Sequence, residues 1–268
     1  YRHALAPDAT AYRLIHGEGD LLPSLVVDRY GDYLVLQALS QGMDRLTADV
    51  VRALVDEVSP AGILARNDPR VRELEGLPRA VEVLHGDVPA SVPVREGFVE
   101  YEADLWKGQK TGLFLDQRDN RLAALQYARG RTLDCFSYQG GFALVLAPRA
   151  TETIAIDVSD EAVAHIRANA ARNGRAVDAR VGNVFDELRG LERLKERFDT
   201  IVLDPPALAK DGEAVGGALR GYRELKVETQ DINVPACRFY AAMGFDLRDT
   251  GFHIILSREV PQMIRERI

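Results

Sequence analysis

Cysteine is nearly absent from this 268-residue chain, where Cys135 and Cys237 stand alone and far apart with no Cys-x-x-Cys. That pattern excludes a disulfide framework and a cysteine-based zinc site. The five histidines are scattered, so His16, His85, His165 and His253 read as surface or capping residues, and no metal is expected. No apolar run reaches the length of a membrane span and nothing resembles a cleaved signal, so the cytoplasm is the expected compartment and no membrane partner is expected. Internal repeats and low-complexity linkers are missing. So is any surplus of positive charge: 34 Lys and Arg face 41 Asp and Glu, for a net charge of −7 and a pI near 5.4. That balance counts against wholesale nucleic-acid binding and leaves only local patches for phosphate contact. Lys107, Lys110, Arg118, Arg121, Arg129 and Arg131 form one such cluster in sequence, and Arg66, Arg70 and Arg72 another. A solvated helix face accounts for either about as well.

At this length the chain buries a substantial core and is expected to form two domains. From residue 131 onward it alternates apolar strand, polar or Gly-rich turn and helix-period segment, which predicts an α/β fold with a parallel sheet. The first strand, 131–136, runs into Ser137-Tyr138-Gln139-Gly140-Gly141-Phe142, where paired glycines let the backbone approach a ligand closely. The second, 153–156, ends at Asp157, with Ser159 or Asp160 placed to cap the helix that follows through about Arg172. Asp157 lies within the interval of about 20 residues expected for an acid that binds ribose hydroxyls after a Gly-rich turn. The third unit is 176–181, then Asn183 and the amphipathic stretch 184–195. The fourth, 198–203, stops at Asp204-Pro205-Pro206, where two fixed φ angles hold a polar ledge at the strand's end. These turns all fall at carboxyl ends of strands, where ligands collect in open α/β sheets, so a nucleoside-containing cofactor is expected. The first turn lacks Gly-x-Gly-x-x-Gly, which favours S-adenosylmethionine over a dinucleotide.

The first hundred residues read as a smaller α/β unit. Residues 25–27 and 33–37 predict a hairpin around Tyr30-Gly31-Asp32, 46–58 an amphipathic helix, and 62–65 a short strand. Residues 82–84, 92–95 and 98–105 are expected to complete its sheet, with Glu96-Gly97 as a turn. The expected division is therefore an N-terminal α/β domain over 1–106 and a second domain over 107–268.

Residues Gly108-Gln109-Lys110-Thr111-Gly112-Leu113-Phe114-Leu115-Asp116-Gln117-Arg118-Asp119-Asn120-Arg121 resemble a hallmark segment of the bacterial 23S ribosomal RNA cytosine-5 methyltransferases. The similarity continues through Asp134-Cys135-Phe136-Ser137-Tyr138-Gln139-Gly140-Gly141-Phe142, Asp157-Val158-Ser159, Asn169 to Asn173-Gly174, Leu203-Asp204-Pro205-Pro206-Ala207-Leu208-Ala209-Lys210 and Gly221-Tyr222. Upstream, Tyr12-Arg13-Leu14-Ile15-His16-Gly17-Glu18 and Leu25-Val26-Val27-Asp28-Arg29-Tyr30-Gly31-Asp32 carry it too. The resemblance implies a Rossmann-like class I methyltransferase sheet, S-adenosylmethionine as methyl donor and 23S ribosomal RNA as acceptor and partner. A homodimer is one assembly open to such a protein. The resemblance also implies that Lys110, Thr111, Gln117 and Arg118 cap the cofactor, that Phe136, Ser137 and Gly140 form a loop beneath its methionine, and that Asp157 takes the ribose hydroxyls. Asn183 stands where the family's adenine-facing residue is Asp, an amide in place of an anionic acceptor. Asp204, Pro205 and Pro206 would position the base, with Asp204 also at the cofactor. In the family a PUA-type barrel precedes the smaller unit, and in a chain that begins at Tyr1 it is not expected.

After Tyr222 the pattern departs from the family. The Ser-Cys-Ser-like loop that carries the family's nucleophile has no counterpart, and residues 227–268 are atypical. Residues 227–245, with Asn233 and Tyr240, resemble the closing segment of GCN5-related acetyltransferases. The acetyl-CoA pyrophosphate loop is missing upstream, so acetyl transfer is not the expected activity. Residues 227–230, 235–243, 245–248 and 253–257 are expected to finish the sheet as strand, helix and antiparallel pair. Cytosine C5 chemistry needs a thiolate to attack C6, yet Cys135 and Cys237 both read as packed core residues and neither is assigned as nucleophile. A catalytically silent S-adenosylmethionine- or RNA-binding module and a base-nitrogen methyltransferase are therefore the alternative expectations.

Overall fold

The computed structural model describes residues 7–205 and the backbone of His253–Leu256. Two compact units divide between Arg118 and Asp119. In the first, the strands β1 (Ala11–His16), β2 (Leu25–Tyr30), β3 (Tyr33–Ala38), β4 (Gly62–Asn67) and β5 (Ala80–Gly86) form one sheet in that order. β2 and β3 are the expected hairpin, turning at Gly31, whose φ of +60° lies in the left-handed region that glycine adopts without strain. The helix α1 (Gln41–Val58) joins β3 to its parallel neighbour β4. It starts five residues before the expected 46, because the Ser40 hydroxyl caps it by accepting from the Met43 N–H. Val50, Val51, Leu54, Val55 and Val58 recur at helical spacing and cover Leu25, Val27, Leu34, Leu36 and Ile63. Each fully buried leucine or isoleucine there contributes about 1.5–3 kcal/mol of transfer free energy.

The short α2 (Val71–Leu74) precedes β5, and β6 (Ser91–Glu96) and β7 (Val99–Asp104) follow it. These last two do not complete the larger sheet as expected but pair with each other in a two-stranded sheet, and β6 also bridges Ala9 through Glu96. Strict alternation allows this: Val99, Tyr101 and Ala103 are buried while Glu100 and Glu102 are exposed, so the ribbon packs one face and needs no third strand to do so.

The second unit contains β8 (Arg131–Cys135), β9 (Glu152–Asp157), β10 (Asp178–Val181), β11 (Thr200–Leu203) and β12 (His253–Leu256), in the order β10-β9-β8-β11-β12 with every pair parallel. The helix α3 (Arg118–Ala124) precedes β8, and α4 (Gly141–Leu146), α5 (Asp160–Arg172) and α6 (Val184–Arg193) lie between the strands in sequence. α5 begins at the Ser159 cap, as expected. Val163 and Ile166 of α5 pack with Ala143, Ala155 and Ala179, while Ala124, Phe142, Leu146 and Val202 form a separate buried cluster. Register places the carboxyl ends together: Leu203 pairs with Cys135, Cys135 with Ile156, and Asp157 with Val181. The loops that follow these strands therefore open on one rim.

β12 lies beside β11 in parallel, with His253 opposite Thr200, and the segment 245–248 expected to pair with it lies outside the described residues. The outer edge of β11 has backbone groups to satisfy, and whichever segment meets that edge takes the position, whatever its place in the chain. The segments expected at 227–230, 235–243 and 245–248, and the acetyltransferase-like stretch with Asn233 and Tyr240, lie outside the described residues.

Candidate functional site

The strand order reverses between β8, from which β9 and β10 spread to one side, and β11, which starts the other. Such a switch point is where an open parallel sheet leaves a crevice beyond its carboxyl ends. β8 carries an acid into it. Asp134 is fully buried, accepts the Ala143 N–H of α4 at 3.0 Å, and has its pKa pushed up to about 7, mainly by desolvation and further by the charges of Asp204 and Asp157. In the sequence Asp134 stands within the motif 134–142 without an assigned role. The signal was available: one acid inside an otherwise apolar strand is a costly burial unless it is used.

The loop after β8 is strained. Phe136, Tyr138 and Gly140 have φ of 61°, 50° and 82°, a left-handed conformation that costs a non-glycine residue about 1–3 kcal/mol. Ser137 ties the loop down, its hydroxyl donating to the Asp134 carbonyl at 2.7 Å and accepting the Ile156 N–H at 3.1 Å. Gly140 is required twice, by its φ and by α5, since a Cβ there would sit 3.2 Å from Ile166 Cγ2. Gly141 is packed by Arg121, whose Cδ would lie 3.0 Å from such a Cβ. Gln139 is buried, and its side-chain oxygen has no hydrogen-bond partner among the described residues, a cost that a ligand N–H would remove.

Asp157 ends β9 with its carboxylate oriented by two backbone donors, Tyr138 N–H to Oδ2 at 2.8 Å and Ser159 N–H to Oδ1 at 3.0 Å. Each oxygen retains a lone pair, the two acceptors that the hydroxyls of a vicinal diol need. Asn183 caps α6 by accepting from Phe185 at 3.0 Å and Asp186 at 3.4 Å, so its side-chain oxygen is committed to the helix. The Phe185 ring meets Phe136 edge to face at 5.9 Å, which brings the loops after β8 and β10 together.

Asp204 and Pro205 follow β11 half-buried, and Pro206 lies outside the described residues. Cys135, as expected, is a core residue, fully buried with its thiol pushed well above the ordinary range by desolvation. Cys237 lies outside the described residues.

The candidates of the Gln109–Arg118 region belong to the first unit. Lys110 pairs with both oxygens of Asp116 at 2.8 Å and lies 4.5 Å from the Phe114 ring centroid. Arg118 pairs with Asp8, and Gln117 is buried. Thr111 is buried too, its hydroxyl bonded to Asp28 at 2.6 Å and Tyr30 at 2.8 Å. The Arg66, Arg70 and Arg72 cluster is not a basic patch. Arg66 and Arg72 are buried, the first on Asp68 and the carbonyls of Leu105 and Gly108, the second on Asp44, Pro78 and Ala38. Asp68 is near Arg66 in sequence, but Leu105, Gly108, Ala38 and Asp44 are distant, so the burial of both arginines was not visible locally. Arg131 is likewise engaged, with Glu152 and Glu196.

A profile of the S-adenosylmethionine-dependent methyltransferase family matches residues 12–261. Ribosomal RNA large subunit methyltransferase I of Vibrio cholerae is 40% identical over 235 residues, which cover 84% of this chain and 59% of that protein. The protein of the same name from Photobacterium profundum is 38% identical over 248 residues, or 90% and 62% of the two chains. The chain thus spans less than two thirds of the length of these relatives. Among solved structures, a candidate S-adenosylmethionine-dependent methyltransferase from Streptococcus mutans gives a TM-score of 0.69 at 24% identity, over 83% of this chain and 59% of that one. A candidate methyltransferase complexed with S-adenosylhomocysteine (SAH) gives 0.70 at 24% identity, with the same coverage. This likeness establishes the fold, a class I methyltransferase sheet.

Proposed function

The chain belongs to the S-adenosylmethionine-dependent methyltransferase family, and from that membership we infer that it binds S-adenosylmethionine at the β8/β11 crevice and transfers the methyl group to cytosine C5 of 23S ribosomal RNA in the cytoplasm. One observation carries the cofactor assignment: at the switch point of a parallel sheet, Asp157 is held by two backbone N–H groups with one lone pair left on each oxygen. The residues fit the ligand. Asp157 takes the ribose hydroxyls, the strained loop with Phe136, Ser137 and Gly140 lies under the methionine, and the unpartnered Gln139 oxygen accepts a donor from it. Asn183 offers its amide N–H toward adenine. Lys110, Thr111, Gln117 and Arg118 are proposed as cofactor-binding residues on the motif resemblance alone, and Asp204, Pro205 and Pro206 to orient the base. When bound, the cofactor supplies an electrophilic methyl group. The chain's own residues fix its position and exclude water from Asp134.

RNA as acceptor is supported by the relatives' name, ribosomal RNA large subunit methyltransferase I, and by the motif resemblance. A silent S-adenosylmethionine-binding module is the second reading, favoured by one observation: Cys135, buried and held protonated, is not a nucleophile. Calorimetry with SAH tests the cofactor assignment, and absence of heat at millimolar ligand would defeat it. Mass spectrometry of 23S ribosomal RNA after incubation with labelled donor separates the two readings, with 5-methylcytosine expected. A label on a base nitrogen would move the acceptor atom, and no label would favour the silent module. Light scattering tests the proposed homodimer.

A further inference from the structure

Arg121 reads in sequence as one of a cluster of basic residues on a solvated helix face, and in the structure it is only 7% exposed. Its helix explains why. Ala124, one turn further along α3, is buried with Phe142, Leu146 and Val202, so the face of α3 that carries residues 121 and 124 is laid against α4. Arg121 therefore reaches the first residue of α4. Its side chain covers Gly141, with Cδ and Nη1 at 3.0 Å and 3.2 Å from the position a Cβ would take. Gly141 closes the loop that follows β8, at the strand end where the sheet order reverses. A cation is thus buried at the rim of the crevice.

Burying a guanidinium is costly, and packing over a glycine would be met as well by an apolar chain of similar length, so the charge is the feature that needs a reason. Arg121 is engaged within the protein, and a guanidinium with five N–H donors can keep an internal partner and still receive a ligand oxygen. Its planar fork matches a carboxylate. The rest of the crevice has the opposite sign, for the charges of Asp157 and Asp204 act on the buried Asp134. Acids and a buried cation on one rim suit a ligand that carries both charges at one end. The methionine end of S-adenosylmethionine does so, as an ammonium and a carboxylate on the same carbon.

We propose that Arg121 is a specificity-determining residue for the cofactor: its guanidinium, lying over Gly141, pairs with the α-carboxylate of the methionine end. This rests on S-adenosylmethionine binding at the crevice as proposed above, and it gives a role to a residue for which the 108–121 motif implied none. Nucleosides without the amino-acid end forgo this pair and are discriminated against. Because the side chain is held in place by packing before the ligand arrives, little freedom is lost on binding.

The test is a cycle between residue and ligand, measured by calorimetry on the full chain. Wild type, Arg121→Met and Arg121→Lys are each titrated with SAH and with the SAH analogue whose α-carboxylate is replaced by a neutral carboxamide. Wild type is expected to bind the carboxamide about 30-fold more weakly than SAH, the loss of one charge-assisted pair. Arg121→Met should raise the SAH Kd by about the same factor and leave the carboxamide Kd within about twofold, so that it no longer distinguishes the two ligands. Arg121→Lys keeps the charge without the fork and should weaken SAH about fivefold. Equal weakening of both ligands in Arg121→Met would mean that Arg121 only shapes the loop, and overturns the inference. Wild type that binds both ligands alike overturns it too, and that comparison stands even if Arg121→Met does not fold. If the wild-type chain gives no heat with SAH, the cofactor assignment itself has failed. Wild-type binding that neither variant changes defeats only the role of Arg121.

Discussion

Replacing Asp134 with asparagine isolates the cost of burying an acid at the crevice. The side chain is fully buried and its folded pKa is about 7, against an ordinary 3.8. Below about pH 4 the acid is neutral whether the chain is folded or not, and it contributes no penalty. Between the two values the unfolded chain releases the proton and the folded one retains it, so stability falls as pH rises, by about 1.4 kcal/mol per unit. Above about pH 7 both states are ionised and the loss levels off at about 4 kcal/mol, a difference of roughly three units converted at that rate. Asparagine matches the neutral acid in shape and still accepts the Ala143 N–H. Asp134→Asn should therefore match wild type at about pH 4 and exceed its stability by about 4 kcal/mol at about pH 8. Urea unfolding across this range, with m checked for constancy, gives the two curves. Curves that run parallel would show that Asp134 is not held neutral by burial, and would refute the reasoning. If the acid is retained for ligand binding, the stabilised variant will also bind SAH more weakly, the trade expected where a site is kept at the expense of stability.

Asp157→Ala removes the acceptor of the Tyr138 and Ser159 N–H groups together with the proposed ribose contact, and SAH affinity should fall about 100-fold. A change under about threefold would remove Asp157 from the site. Gly140→Ala imposes a side chain on a φ of 82° against Ile166, so it should cost about 1–3 kcal/mol, read as a lower Tm. Arg66→Met breaks a half-buried pair with Asp68 and two buried carbonyl contacts and should destabilise by about 1–3 kcal/mol, while the salt dependence of RNA binding stays unchanged. A slope reduced by about one would return Arg66 to the phosphate-binding surface. In a Cys237→Ser background, Cys135 should resist a thiol reagent until the protein unfolds, because its thiol is buried and shifted upward. Rapid labelling of the native chain would show otherwise.

The elements that local pattern dictates were legible in the chain. The hairpin at Gly31, the alternation of Val99, Tyr101 and Ala103, the Ser159 cap and the placing of Asp157 at a strand's end all depend on neighbours within a few residues, where turn chemistry and side-chain period act directly. Family motifs marked the segment 108–121 and the ledge at Asp204.

Only the tertiary structure decided the rest, because it depends on which distant groups come to share a dry site. Thr111 and Asp28 are 83 residues apart, and no local pattern shows that the two share a buried hydrogen bond. Arg66 and Arg72 look like a basic cluster until remote carbonyls and acids bury them. The β6–β7 ribbon and the place of β12 beside β11 turn on strand edges, whose pairing a periodic pattern leaves open, since period two specifies faces and not neighbours. Asp134 shows the division most clearly. Its charge is written in the sequence, but its proton is set by the water that packing removes and by the two acids, Asp157 and Asp204, that parallel register brings to the same rim.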